Sequence, residues 1–568
     1  MKKDATLLKK TKIREGVYPF LGLKNPRKFP LSGKKKKTKG AKIMKKTLTK
    51  VLATVLACGL MFTATACGGK NNDNAGKTAI KTSFFIGEFG DEWIKDLAKE
   101  WSANNDKYYI DVKNNLNLGS TIVADIKSNT SFDLFVAEDC AMQQLFAGDY
   151  LEDLTDVLSL KPDGDKTIKE KIENSDHWSE AASLNGKIYM IPYNISPCGL
   201  IFDYDRFNEN GWLVTDGAGN VTVGKDGVAG TYDDGLPQTM TEFKRMCEKI
   251  NASGAKVFLY MGANHPEYVN NVAYSYLAQT IGEDNYEIFY SHDSKGKEIE
   301  LISGEKTVVT IEDGYKTWRM KGVDAMAEFL QDYLCNSSRY VSDATLTDKS
   351  LSVDKSHAQF ISVNDDSPAF IVEGNWFENG SRRLIESNVN YGGKEYGKSD
   401  YRYMLLPINE GERYQLFSQT GGAMFVPKQA DAEKLAAIKD FIAFMLKDEN
   451  MARVTADTGM IWNYKYSVSD EVKAQMTKFT KNTYQMSQDE KNLVIHSAYI
   501  DTAATPIYAY SALGASGLMM CSDSQYDLVR GFLDKGNASS FVAGIAQYND
   551  AARWAGYLSQ AKTYGFYN

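Results

Sequence analysis

From Thr82 onward short β-rich runs alternate with apolar-striped helical segments, and this alternation restricts the possible folds more than any other feature of the chain. Thr82-Ser83-Phe84-Phe85-Ile86-Gly87 reads as a strand closed by Gly, and Trp93, Ile94, Leu97 and Trp101 then recur on one face at helical spacing. Tyr108 to Val112 is a second strand, Ile122, Val123 and Ile126 mark a helix, and Phe132 to Ala137 is a buried third strand. Strands separated by helices predict an α/β architecture with a parallel sheet covered on both faces. Trp93 and Trp101 lie on the apolar stripe and are read as core.

The same grammar returns further along. Lys187 to Ile191 and Gly199 to Phe202 are strand-like, on either side of Pro192 and Pro197. Thr241 to Asn251 and Gly322 to Leu334 are helical, and Lys256 to Met261 is extended. Ala369 to Val372, Tyr403 to Leu406 and Ala423 to Val426 are strands, and Ala432 to Leu446 is an amphipathic helix. Beyond Asp448 the chain reads as mostly helical, ending in one helix from Ser540 to Ala561. No period of 20–50 residues emerges, which argues against a solenoid or propeller. At 568 residues the chain has material for two or more cores.

One stretch departs from this pattern. Thr215 to Pro237 is dense in Gly and Asp, which supply turns and positive φ, and reads as a surface hairpin insertion. Its carboxylates Asp226, Asp233 and Asp234 are also candidate oxygen ligands for a structural Ca²⁺, although the EF-hand pattern does not fit.

The head of the chain is an address. Residues 1–66 hold 18 Lys/Arg against two Asp/Glu, so the remainder carries 48 basic and 71 acidic residues. An acidic body lacks the basic footprint that nucleic acid requires, so no nucleic-acid partner is expected. From Met44 a Lys-bearing segment precedes an apolar run from Val51 to about Phe62, then small residues lead to Cys67, the pattern of an export signal. Ala64-Thr65-Ala66-Cys67 resembles a bacterial lipobox, which implies acylation at Cys67. The polar run after it resembles a lipoprotein tether. Residues 1–43 read as a gene-model extension or a basic segment ahead of the true start.

Chemistry-bearing motifs are missing. There is no Walker A sequence, HExxH, GxSxG or CxxC, and the five histidines lack metal-ligand spacing. No catalytic residue and no cofactor is expected. Past Cys67, Cys140, Cys198, Cys247, Cys335 and Cys521 are widely spaced and read as free thiols.

Several segments, in order, resemble the extracellular solute-binding proteins of ABC importers, the sugar-binding family that includes maltose-binding protein. They are Phe132 to Leu154, Asn185 to Tyr193, Gly199 to Phe207, Leu236 to Phe243 (with Met240 where Trp is usual), Ala369 to Phe377 and Gly421 to Pro427. The resemblance spans about residues 80–465 and departs at the Gly/Asp insertion and in a long C-terminal extension. It implies a two-lobed periplasmic-binding-protein-like fold (type II), each lobe a sheet flanked by helices, with crossover hinge segments near Tyr193–Gly199 and Leu405–Gly411. The implied organisation is a signal peptide at 44–66, a tether at 67–79, lobe 1 at 80–193 and again at 406–450, lobe 2 at 194–405 with the insertion 215–237, and a helical C-terminal part at 451–568.

The resemblance further implies a ligand cleft between the lobes. The loop after the first strand supplies Glu88, Phe89 and Asp91, and the third strand's exit supplies Glu138 and Asp139. Tyr193 and Asn194 lie at the first hinge. Glu373, Asn375 and Trp376 follow the strand at Ala369 to Val372, with Trp376 placed to stack on a sugar face. Gly421, Gly422, Trp462 and Tyr464 complete the set. The function implied is capture of a carbohydrate, an oligosaccharide, by a monomer held at the outer face of the cytoplasmic membrane through its N-terminal lipid alone, and delivery to the transmembrane subunits of an ABC permease. The alternatives are a surface-anchored glycan-processing enzyme using Asp139 and Glu373 as an acid/base pair, or a binder of a non-sugar solute.

Overall fold

The computed structural model describes residues 74–138, 143–146, 148–172, 182–362, 367–387, 394–407, 412–497 and 528–563. Cys67, the export signal, Asp139, Cys140, Cys521 and part of the second expected crossover (408–411) lie outside the described residues.

The architecture is mixed α/β, organised on one ten-stranded sheet. Its first strands are β1 (Thr78–Phe84), β2 (Tyr108–Asn114) and β3 (Leu134–Glu138). Two short strands, β4 (Ser183–Leu184) and β5 (Lys187–Ile188), form a separate hairpin, and the long β6 (Ile191–Asp203) follows. β7 (Phe258–Leu259) precedes a second small hairpin, β8 (Glu298–Glu300) with β9 (Lys306–Val308). The sheet is completed by β10 (Phe370–Gly374), β11 (Tyr401–Met404), the long β12 (Tyr414–Phe425), β13 (Ile461–Trp462) and β14 (Leu493–Ser497).

The order β2-β1-β3-β12-β6-β10-β7 places two strand groups on opposite sides of the long pair β12 and β6. β1 pairs parallel with β2 (Thr78 opposite Tyr108) and with β3 (Thr82 opposite Leu134), as the alternation predicts. β10 pairs parallel with β7. The long strands change the expected all-parallel sheet into a mixed one. β6 runs antiparallel to β10, β11, β12 and β13, and β12 runs antiparallel to β3. Only strands of this length reach from one group to the other.

The two prolines do not divide β6, contrary to the sequence reading. Pro192 and Pro197 lie within a continuous strand, because β12 shifts register twice opposite them. Proline offers no ladder donor, and its carbonyls are taken by side groups. Tyr464 donates to Pro192 O at 2.6 Å, and Tyr403 Oη and the Asn375 amide donate to Pro197 O at 2.8 and 3.1 Å.

The helix Glu92–Ala103 buries Trp93, Ile94, Leu97 and Trp101, the stripe visible in the sequence. Each such side chain contributes about 1.5–3 kcal/mol by leaving water. The helix Met240–Ala252 starts where it does because Thr239 accepts the Glu242 amide, while the Glu242 carboxylate accepts the Gln238 amide. Loss of such a cap typically costs about 1 kcal/mol.

The C-terminal region differs from expectation in two ways. β13 and β14 interrupt the helices beyond Asp448, and the single helix expected over Ser540–Ala561 is two, Ala538–Tyr548 and Ala551–Thr563. Asn549 leaves helical geometry, and Asp550 restarts the chain by accepting the Arg553 amide at 2.9 Å. The expected helix Gly322–Leu334 is Val323–Phe329 continued by a π turn over Leu330–Leu334. Among the described residues, no helix is long and apolar enough to cross a membrane.

The Gly/Asp insertion is a turn-rich loop with one bridge, Thr215 to Val221. Its carboxylates accept from their own loop: Asp226 from the Val228 amide at 2.7 Å, Asp233 from the Asp226 amide and the Thr231 hydroxyl at 3.2 and 3.0 Å, and Asp234 from the Gly230 amide at 2.5 Å. Among the described residues, no group of three or more His, Cys, Asp or Glu converges in a way that would hold a metal ion.

Candidate functional site

Most of the expected residues gather in two clusters, one at the exit of β3 and one at the exit of β10, joined through β6. In the first, Glu138 ends β3, and its Oε1 accepts from Tyr193 Oη at 3.1 Å and Asn194 Nδ2 at 3.0 Å. Withdrawal from water raises the Glu138 pKa, and these two hydrogen bonds offset part of the rise. Gly422 of β12 lies opposite Glu138 in the ladder. A Cβ there would collide with Asn194 Oδ1 and the Tyr193 ring, so glycine lets both side chains lie flat against β12. Gly421 pairs with Ile195 one step earlier.

Trp93, Tyr193 and Trp462 form a ring triangle with centroids 6.0–6.4 Å apart. Trp462 is 1% exposed and donates to Met451 O at 3.1 Å, and Tyr464 is fully buried. Both pack against β6, Trp462 paired with Asn194 and Tyr464 bonded to Pro192 O.

The second cluster gathers at the end of β10. Glu373 Oε1 meets His357 Nε2 at 3.0 Å, Glu373 Oε2 accepts the Gly374 amide at 3.2 Å, and Ser381 Oγ meets His357 Nδ1 at 3.0 Å. All three side chains are buried. Burial alone lowers the His357 pKa, but the Glu373 carboxylate overrides it and the net shift is upward. Trp376 turns back over Gly374, where a Cβ would strike its ring, and meets Tyr268 edge-on at 5.6 Å. His265, paired with Glu267 at 2.9 Å, stacks on Tyr268 at 5.5 Å and continues the ring series toward solvent.

Asn375 joins the clusters by donating its amide to Pro197 O of β6 and its side chain to Gly459 O at 2.9 Å. Glu88 reaches the second cluster from the first strand group: Asn379 donates to its carbonyl at 2.7 Å. Burial pushes the Glu88 carboxyl up to about 7; His357 offsets this in part, while Glu373 and Asp354 reinforce it. Phe89 is core. Asp91 stands apart, engaged by Lys95 and Asn114.

Four polar atoms here are buried without a hydrogen-bond partner: Glu88 Oε2, Trp93 Nε1, Asn194 Oδ1 and Asn375 Oδ1. The amide orientation at Asn375 follows from its partner, because Gly459 O can only accept. Buried polar atoms are seldom left unpaired, since each costs about 1–3 kcal/mol. A separate cavity of about 570 Å³ opens at the far end of β6, lined by Asp203, Arg206, Trp212, Phe360 and Lys394 among others.

The profile of the family described as bacterial extracellular solute-binding protein matches residues 96–483. The chain belongs to that family. No curated protein matches its sequence. Among solved structures, this solute-binding protein is similar to apo RafE from Streptococcus pneumoniae, with 14% identity, 84% of this chain and 98% of that one covered, and a TM-score of 0.51. It is similar to a protein of xylan utilisation from Caldanaerobius polysaccharolyticus, with 15% identity, 83% and 99% covered, and a TM-score of 0.54. It is also similar to the bacterial solute receptor AcbH, with 14% identity, 84% and 98% covered, and a TM-score of 0.52. These likenesses establish the shared α/β fold.

Sequence reasoning missed the residues that hold this solute-binding protein's second cluster: His265, Tyr268, His357, Asn379, Gly380 and Ser381. Tyr268 lies about a hundred residues before β10 and His357 on the helix just ahead of it, and nothing local marks either. Gly380 was legible, since a glycine inside an otherwise ordinary helix signals a close approach.

Proposed function

We propose that this protein captures a carbohydrate between the exits of β1 and β3 on one side and β10 on the other. The two strand groups act as lobes that move about β6 and β12. The protein works as a monomer tethered outside the cell through acylated Cys67, passes its ligand intact to an ABC permease, and carries no cofactor. The observation that carries the reading is the set of unpartnered polar atoms spread over the two clusters, the second of which holds Trp376. Three of the four are acceptors, suited to the hydroxyl donors of a sugar whose C–H face packs on an aromatic ring. The solved relatives lend support: RafE has been solved with raffinose, and AcbH prefers β-D-galactopyranose. Glu373 is committed to His357 and the Gly374 amide, which disfavours its use as a general acid.

The test is thermal unfolding and product analysis with a panel of neutral mono- and oligosaccharides. A bound sugar at a hundred times its Kd raises the unfolding free energy by about 2.7 kcal/mol, and chromatography recovers it unchanged. Stabilisation by none of the panel, or hydrolysis at enzymatic rates, overturns the reading.

A further inference from the structure

Three strands separate β1 from β10 in the sheet, a span of about 19 Å at ordinary strand spacing. Yet the segment leaving β1 touches the helix Phe377–Glu386 that leaves β10. Asn379 of that helix donates to Glu88 O, and the Glu88 carboxyl lies against Gly380. A Cβ on residue 380 would collide with Glu88 Oε2 and Cδ and crowd its Cβ. Glycine inside a helix costs about 1 kcal/mol relative to alanine, so this helix gives up stability at the one position that makes room for Glu88.

The seat offers that carboxyl no Lys or Arg. Oε2 is buried without a hydrogen-bond partner, and among the described residues no Lys or Arg forms an ion pair with Glu88. The titratable groups facing it are Glu373 from β10, His357 and Asp354 from the helix Val353–Ile361, and His265 ahead of the helix Glu267–Ile281. A neutral acid sits in such a seat at small cost, whereas an ionised one loses its hydration without replacement.

We propose that Glu88 is a proton-operated latch on the cleft: neutral, it rests on Gly380 and holds the two strand groups together, and ionised, it returns to water and lets them part. This rests on the reading of the two groups as moving lobes. In the seat the carboxyl titrates at about 7, against 4.5 when free. The closed form therefore holds the extra proton between those values. The closed-to-open ratio is highest below pH 4.5 and falls as pH rises through about 7, by on the order of a hundredfold in all.

Small-angle scattering on the ligand-free protein tests this, with wild type, Glu88→Gln and Gly380→Ala each measured at pH 5.5 and 8.5. The wild-type radius of gyration should increase at pH 8.5, Glu88→Gln should stay compact at both, and Gly380→Ala should be expanded at both. A wild type unchanged with pH, or a Glu88→Gln protein that follows the wild-type response, overturns the latch. If Gly380→Ala does not fold, Glu88→Gln decides alone. No sugar is present, so the result is independent of the saccharide panel.

Discussion

Replacing His357 with Ala should lower the stability of the protein by about 3–5 kcal/mol, the usual loss when one partner of a buried ionic pair is removed. His357 and Glu373 have side chains 1% and 0% exposed and meet at 3.0 Å, and Ser381 occupies the other ring nitrogen. Alanine strands both partners in the interior and leaves a cavity beside Phe377. Urea unfolding should show a large fall in midpoint, whereas Glu373→Gln, which retains an acceptor for the ring, should cost much less. The effect has a definite pH direction. The folded pKa of His357 lies above its ordinary value of 6.5, so its protonation stabilises the fold fully below pH 6.5. That contribution is lost as pH rises through the folded pKa. A His357→Ala protein as stable as wild type would show that the chain Glu373–His357–Ser381 does not organise the end of β10.

The second large effect is on binding. Trp376→Ala should weaken affinity for the bound saccharide by on the order of a hundredfold, the size expected when a buried aromatic anchor is truncated. Trp376→Phe should retain most of it, because the flat apolar face survives. Trp376 meets Tyr268 edge-on and lies over the bare Cα of Gly374, so its ring is already oriented before a ligand arrives. Calorimetry well below the unfolding temperature separates this loss from the destabilisation that truncating a 6% exposed Trp also brings. Unchanged affinity would move the sugar away from Trp376.

The parts of the fold legible in the sequence are those set by local pattern. The stripe Trp93, Ile94, Leu97 and Trp101 specified its helix, and Phe132 to Ala137 specified a buried strand, because periodicity is a property of neighbouring residues. The continuity of β6 through Pro192 and Pro197 was not legible. It depends on register shifts in β12 and on carbonyl partners more than 200 residues away. The site divides the same way. Glu138, Asn194, Glu373, Asn375 and Trp376 sit at strand exits and hinge segments that a pattern can mark. Their geometry is fixed by Gly422, His357 and Tyr268, which the topology alone brings to them. Asp91 fell in the right loop, but Lys95 and Asn114 claim its carboxylate.

The most direct measurement is the structure of the protein with a stabilising saccharide bound. A sugar ring should lie on Trp376, with hydroxyls donating to Asn194 Oδ1 and Asn375 Oδ1. A saccharide found instead in the cavity beside Arg206 and Lys394, with those two amide oxygens still unpartnered, would contradict it.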